Sequence, residues 1–158
     1  MHPTRNDLAE KSRKKLVALL QPRLADAIDL SLQMKQAHWN VKGPHFMQLH
    51  ELFDAIHGRV AGHADELAER IVQLGGTADG TLQTVARETS LAAYGATLTD
   101  GTAHVEAVAA ALSTFGAAVR GAIDEAAKLG DADTADLFTE ISRGIDKDLW
   151  FVEAHLHG

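Results

Sequence analysis

The chain is predicted to be all-α, with four long helices in two antiparallel hairpins and a short helix in the crossover between the second and third. Three observations predict this. Of 158 residues, 46% are hydrophobic, 5% are aromatic and three are proline, a balance that suits helix better than strand. Apolar residues recur at intervals of three and four along four long stretches. Gly43-Pro44, Gly75-Gly76 and Gly130 separate those stretches. A chain of this length supports one core, so one domain is expected over 1–158, with residues 1–8 as a short N-terminal extension.

The first helix is expected to start near Asn6 or Asp7, both good caps, and to end around Trp39 to Val41. Its apolar face is Leu16, Leu19, Leu20, Leu24, Ala27, Ile28 and Leu32. Pro22 lies inside that pattern, where it removes a backbone donor and crowds the carbonyl of Ala18, so a kink or break is expected there. The second helix runs from His45 to Leu74 on Leu49, Leu52, Phe53, Ile56, Val60, Ala64, Leu67, Ile71 and Leu74. Residues 75–100 form a crossover with a short helix over Leu82 to Thr89. An alanine-rich third helix spans Thr102 to Leu129, and a fourth spans Thr134 to His155, capped by Asp133 or a neighbour. Two long hairpins joined by one crossover describe a ferritin-like bundle. No glutamate has a histidine three residues later, which disfavours the di-iron centre that such bundles build within one subunit.

Composition restricts the function. There is no cysteine, so disulfides, thiolate metal sites and thiol nucleophiles are excluded, and any metal must be held by nitrogen and oxygen. No apolar run approaches the roughly 20 residues that span a bilayer and the start lacks the apolar core of a signal peptide, so the expected location is the cytoplasm, with no membrane partner. Residues 1–15 carry five basic side chains (Arg5, Lys11, Arg13, Lys14, Lys15) against Asp7 and Glu10, a balance of +3. The remainder carries ten basic and twenty acidic side chains, −10 with histidines neutral. That surface repels nucleic acid and attracts cations, so DNA contact is expected to be weak and confined to the N-terminus.

The chemistry is carried by two pairs at i, i+4 on the second helix, His50/Asp54 and Asp65/Glu69. Imidazole with carboxylate suits Fe(II), Zn(II) or Mn(II). The pairs lie 11 residues apart, about 20° of rotation and roughly 16 Å of rise, so they face the same way but cannot hold the same ion. A second copy running antiparallel, about a two-fold axis near Arg59 and Val60, sets His50/Asp54 of one chain against Asp65/Glu69 of the other. Gly58, Ala61 and Gly62 near that axis would allow close approach, and His38 can fold back to join His50. His45, His57 and His63 have no carboxylate partner in register and read as ordinary surface or interface residues, as do His2, His104, His155 and His157. Trp39 and Trp150 read as core aromatics.

Lys35-Gln36-Ala37-His38-Trp39-Asn40, His50-Glu51-Leu52-Phe53-Asp54 and His63-Ala64-Asp65-Glu66-Leu67-Ala68-Glu69-Arg70 together resemble the signature of the Dps family, and further similarity covers nearly the whole chain. The resemblance implies ferroxidase ligands His38, His50 and Asp54 from one subunit and Asp65 and Glu69 from its two-fold mate. It also implies iron as substrate, two ions per centre, hydrogen peroxide as preferred oxidant, and storage of ferric mineral in a hollow dodecamer built from two-fold dimers. Trp39 would then sit beside the site, as a shield or a sink for stray oxidation. Asp131, Asp133 and Asp136 have two readings, as cap and first-turn charge for the fourth helix and as the lining of an iron-entry pore. Zinc binds such ligands tightly and is the expected competitor. Relatives that bind DNA carry a longer lysine-rich arm, so the competing reading of the chain as a nucleoid-compacting protein is disfavoured. A third reading is an assembly whose shared metal is structural.

Overall fold

The computed structural model describes residues 1–157, and every regular element among them is helical. In chain order they are α1 (Glu10–Asn40), α2 (Phe46–Gln73), α3 (Leu82–Glu88), α4 (Gly101–Lys128) and α5 (Ala132–Glu153). Side-chain bonds fix the direction of the first hairpin: Ser31 meets His57, Lys35 meets Asp54 and His38 meets His50, so α2 descends as α1 rises. The same reversal links α2 to α5 through Arg59 with Asp148 and Arg70 with Thr134. Phe53, Phe115 and Phe138, all fully buried, fill the centre among leucines and isoleucines from the four long helices.

The ends of α2 and α4 both close on glycine. Gly75 and Gly130 have φ of +84°, and in each case the next amide reaches back to close the helix end, Gly76 to the Ile71 carbonyl and Asp131 to that of Ala126. Asp100 and Asp131 cap α4 and α5, accepting from the amides of Ala103 and Thr134.

Three boundary expectations change. Asn6 accepts from the Leu8 amide in a turn ahead of the helix, so α1 starts later, after an Ala9 that supplies no side-chain cap. The cap of α5 is Asp131 rather than Asp133, which places the helix start two residues earlier. Pro22 does not break α1. Leu20 and Leu24 are buried on either side of it, and the Gln21 amide clamps the crossover, donating to the Asp79 carbonyl at 2.7 Å and accepting from the Asp79 amide.

That clamp belongs to a polar ladder along α1. Asp26 accepts from the Ser90 amide at 2.7 Å, Asp29 from the Thr89 hydroxyl at 2.7 Å, and Gln33 donates to the Ala92 carbonyl at 3.1 Å. The crossover is thereby tied down over its length. α4 is long and apolar enough by composition to cross a membrane, but half of that stretch is buried in the bundle, where it supplies Val108, Leu112, Phe115 and Val119 to the core.

Candidate metal centre

The end of α1 and the beginning of α2 bring His38 and His50 face to face. Their rings stack with centroids 3.7 Å apart, and the bonding is reciprocal: Nδ1 of His38 donates to the His50 carbonyl at 2.7 Å and Nδ1 of His50 to the His38 carbonyl at 2.8 Å. A carbonyl can only accept, so both Nδ1 atoms carry a proton, and Nε2 is the nitrogen of each ring that the backbone leaves uncommitted. A backbone carbonyl that holds one ring nitrogen of a histidine in this way orients the other for a metal. Asp54 joins the two rings around an open depression that Met47, Glu51 and Ala55 complete.

Lys35 bonds Asp54 Oδ1 at 2.7 Å and lies 5.8 Å from the centre of the Trp39 ring. That hydrogen bond is the main reason the Asp54 carboxyl is held below its ordinary range. Glu51 and Lys35 were not singled out as site residues by sequence, although the signal existed. Glu51 is three residues before Asp54, and Lys35 three before His38, which puts each on the relevant helix face.

Asp65 and Glu69 are exposed further along α2, and Glu69 borders a separate apolar depression with Ala68, Val72 and Ala78. Among the described residues no cluster of three or more histidine and carboxylate groups is placed to hold a metal. The face of α2 between the two pairs is bare. Glu51, Asp54, Gly58, Ala61, Asp65, Glu69 and Val72 follow one another at helical spacing and all are exposed, and a Cβ added at Gly58 or Gly62 would meet nothing within 4 Å.

Other expectations move. Trp39 and Trp150 are not core aromatics: they are 66% and 64% exposed. His104, expected at the surface, is fully buried, because it falls in the apolar stripe of α4 with Val105, Val108 and Leu112. Asp131 is committed to partners within its own subunit. It is 4% exposed, and both its oxygens lie 2.9 Å from Nη2 of Arg70 while its cap bond and the Thr134 hydroxyl occupy them further. Burial alone would raise its pKa, but the bonds from Thr134 and Arg70 outweigh it and hold the carboxyl below the usual range. Asp133 and Asp136 stay exposed.

The basic segment is partly committed as well. Arg13 donates to the carbonyls of Leu8 and Leu74, anchoring the start of α1 to the end of α2, and Lys14 pairs with Glu10 at 2.5 Å. Arg5, Lys11 and Lys15 are exposed.

The ferritin-like domain model matches residues 17–158. A DNA protection during starvation protein of Agrobacterium fabrum is 44% identical over 155 residues, covering 98% of this chain and 96% of the relative. Among solved structures, Dps of Mycobacterium smegmatis aligns with a TM-score of 0.93 at 33% identity, covering 99% of this chain and 94% of that one. Dps of Microbacterium arborescens, solved in a high iron form, aligns with a TM-score of 0.88 at 33% identity, covering 98% and 99%. Helix order, crossover and sequence similarity along almost the full length agree, and the chain belongs to the Dps family of ferritin-like proteins.

Proposed function

We propose that this protein is a ferroxidase that stores its product, oxidising Fe(II) at sites shared by two subunits and holding the ferric mineral inside a dodecameric shell. The observation that carries the reading is the His38–His50 pair, whose Nδ1 atoms are tied to backbone so that Nε2 of each ring is the nitrogen left for a metal beside Asp54. Asp65 and Glu69 supply the other half, because they lie on the same exposed stripe of α2 and an antiparallel mate sets them opposite His50 and Asp54. The open space over Gly58 and Gly62 supports close approach of that mate.

Two ferrous ions held side by side each give one electron to hydrogen peroxide, which with two protons becomes two waters. Pairing the electrons avoids hydroxyl radical and so protects DNA and the cell. Five protein ligands leave coordination positions open for water and oxidant. Exposed Trp39 stands beside the site, where it can shield it or absorb stray oxidation. Asp133 and Asp136 are the carboxylates left to draw Fe(II) through a pore at the start of α5. Zinc competes for the same ligands. We read the location as cytoplasmic. DNA binding is weak in this reading, since Arg13 is committed to backbone carbonyls and the rest of the chain is strongly acidic.

The test is to load the metal-free assembly with Fe(II) without oxygen and then add peroxide. Ferric absorbance should rise with two irons oxidised per peroxide and repeat over successive additions, and zinc should inhibit it. A single round of metal binding with no turnover would instead favour a structural metal.

A further inference from the structure

Next to Phe53 in the core lies a polar pair that the proposed iron chemistry does not use. Tyr94, the sole tyrosine of the chain, comes from the crossover, and its hydroxyl lies 2.6 Å from Nδ1 of His104 on α4. The two rings are nearly parallel, with centroids 5.9 Å apart. His104 has no exposed surface, and its Nε2 makes no hydrogen bond, an unusual cost for a buried ring. The imidazole packs toward Phe53, centroids 6.5 Å apart, and Phe53 is the chain neighbour of Asp54 and lies one helical turn from His50.

Burial suppresses charge on both partners, lowering the pKa of His104 and raising that of Tyr94. The resting pair is therefore a neutral phenol bonded to a neutral imidazole. A phenol that loses an electron becomes a strong acid, and a base already bonded to it takes the proton without rearrangement. Backbone groups of Leu98 and Asn40 favour a protonated His104, although neither completes a bond to Nε2. Tyr94 also borders a cavity of about 150 Å³, lined by Gln33, Ala107, Ala111 and Thr114 among others, which is large enough for a small oxidant.

We propose that Tyr94 and His104 form a redox-active pair that quenches one-electron oxidants escaping the metal centre. The oxidant is hydroxyl radical, made when a single unpaired Fe(II) reduces peroxide. The electron passes from Tyr94 to the radical, giving hydroxide, while the phenolic proton moves to Nδ1 of His104, leaving a neutral tyrosyl radical beside an imidazolium. A purely structural pair would only anchor the crossover to α4. The redox property of the pair belongs to the metal-free protein, whereas its oxidant rests on the ferroxidase reading.

The experiment oxidises the metal-free assembly with photoexcited ruthenium tris-bipyridine and persulfate, freezes it, and records the electron paramagnetic resonance spectrum. A tyrosyl signal is expected in the native sequence, absent in Tyr94→Phe and reduced about tenfold or more in His104→Gln. In heavy water the native radical should form more slowly and show an exchangeable deuteron coupled to the phenoxyl oxygen. Native protein giving tryptophanyl signal alone, or His104→Gln matching native yield, would overturn the proposal. Should His104→Gln fail to assemble, the Tyr94→Phe comparison and the deuteron coupling carry the test. A second arm adds less than one Fe(II) per site and then peroxide, and the same tyrosyl signal is expected. Its absence there would refute the link to iron. Failure of the ferroxidase reading looks different, as native protein that forms no ferric mineral.

Discussion

His38 and His50 hold each other in place: each ring donates its Nδ1 proton to the other's backbone carbonyl, at 2.7 and 2.8 Å, across a stacking distance of 3.7 Å. The consequence is chemical as well as structural, because the bonds to the carbonyls leave Nε2 of each ring as the nitrogen uncommitted to backbone. The junction of α1 and α2 is thereby a helix-to-helix clasp and, in the proposed centre, a prepared pair of nitrogen ligands.

Lys35 limits that preparation. Its ammonium bonds Asp54 and both repels an incoming cation and competes with it for the carboxylate. Lys35→Met should tighten Zn(II) or Co(II) binding several-fold at neutral pH, measured by isothermal titration calorimetry on the assembly. The Asp54 carboxyl should rise toward its ordinary range in that variant, since the lost hydrogen bond is the first cause of its present shift. Unchanged affinity would show that Lys35 swings clear at no cost.

Gly58 separates folding from assembly. A side chain there meets nothing within its own subunit, and leucine is the better helix former by roughly 0.5–1 kcal/mol. Gly58→Leu should therefore keep full helix content by circular dichroism yet sediment as small species, because the side chain would occupy the space of the two-fold mate. Normal-sized assemblies of this variant would place the interface elsewhere.

Asp131 sets a pH dependence. Its folded carboxyl ionises below the ordinary range, so the unfolded chain binds the proton more tightly than the native one. The stability it contributes is whole above the ordinary carboxylate range and is lost as pH falls through the lowered folded value. Urea titrations at fixed protein concentration should show a steeper loss on acidification for native protein than for Asp131→Asn. At neutral pH, Asp131→Ala should cost about 2 kcal/mol or more, since it removes the shorter of Arg70's two carboxylate contacts and a helix cap. Asp133→Ala, at an exposed carboxylate, should stay within about 0.5 kcal/mol.

How far the sequence is legible depends on whether a signal is local. The four long helices and their glycine stops could be read from period and turn chemistry, and so could the shared facing of His50, Asp54, Asp65 and Glu69. That α1 runs unbroken through Pro22 was not legible, because the clamp of Gln21 on Asp79 joins residues far apart in the chain. The role of Asp26 and Asp29 in holding the crossover was invisible for the same reason. His104 was legible and missed, since it stands four residues before Val108 and eight before Leu112 on an apolar stripe. Trp39 was misread from its residue type, though the buried line of Leu30, Met34, Ala37 and Val41 runs past it.

The central claim, that each metal site takes ligands from two subunits, is tested most directly by complementation. His50→Ala/Asp54→Ala and Asp65→Ala/Glu69→Ala subunits should each assemble into inactive shells, because every site lacks half of its ligands. Across a two-fold between one subunit of each kind, one site collects all four substitutions and the other recovers His50 and Asp54 from one chain with Asp65 and Glu69 from the other. The measurement is the initial rate of peroxide-dependent Fe(II) oxidation by co-assembled mutants, after native mass spectrometry has verified mixed shells. Recovered activity, in half of the sites in each mixed dimer, is the predicted result; verified mixed shells as inactive as either parent would contradict the shared site.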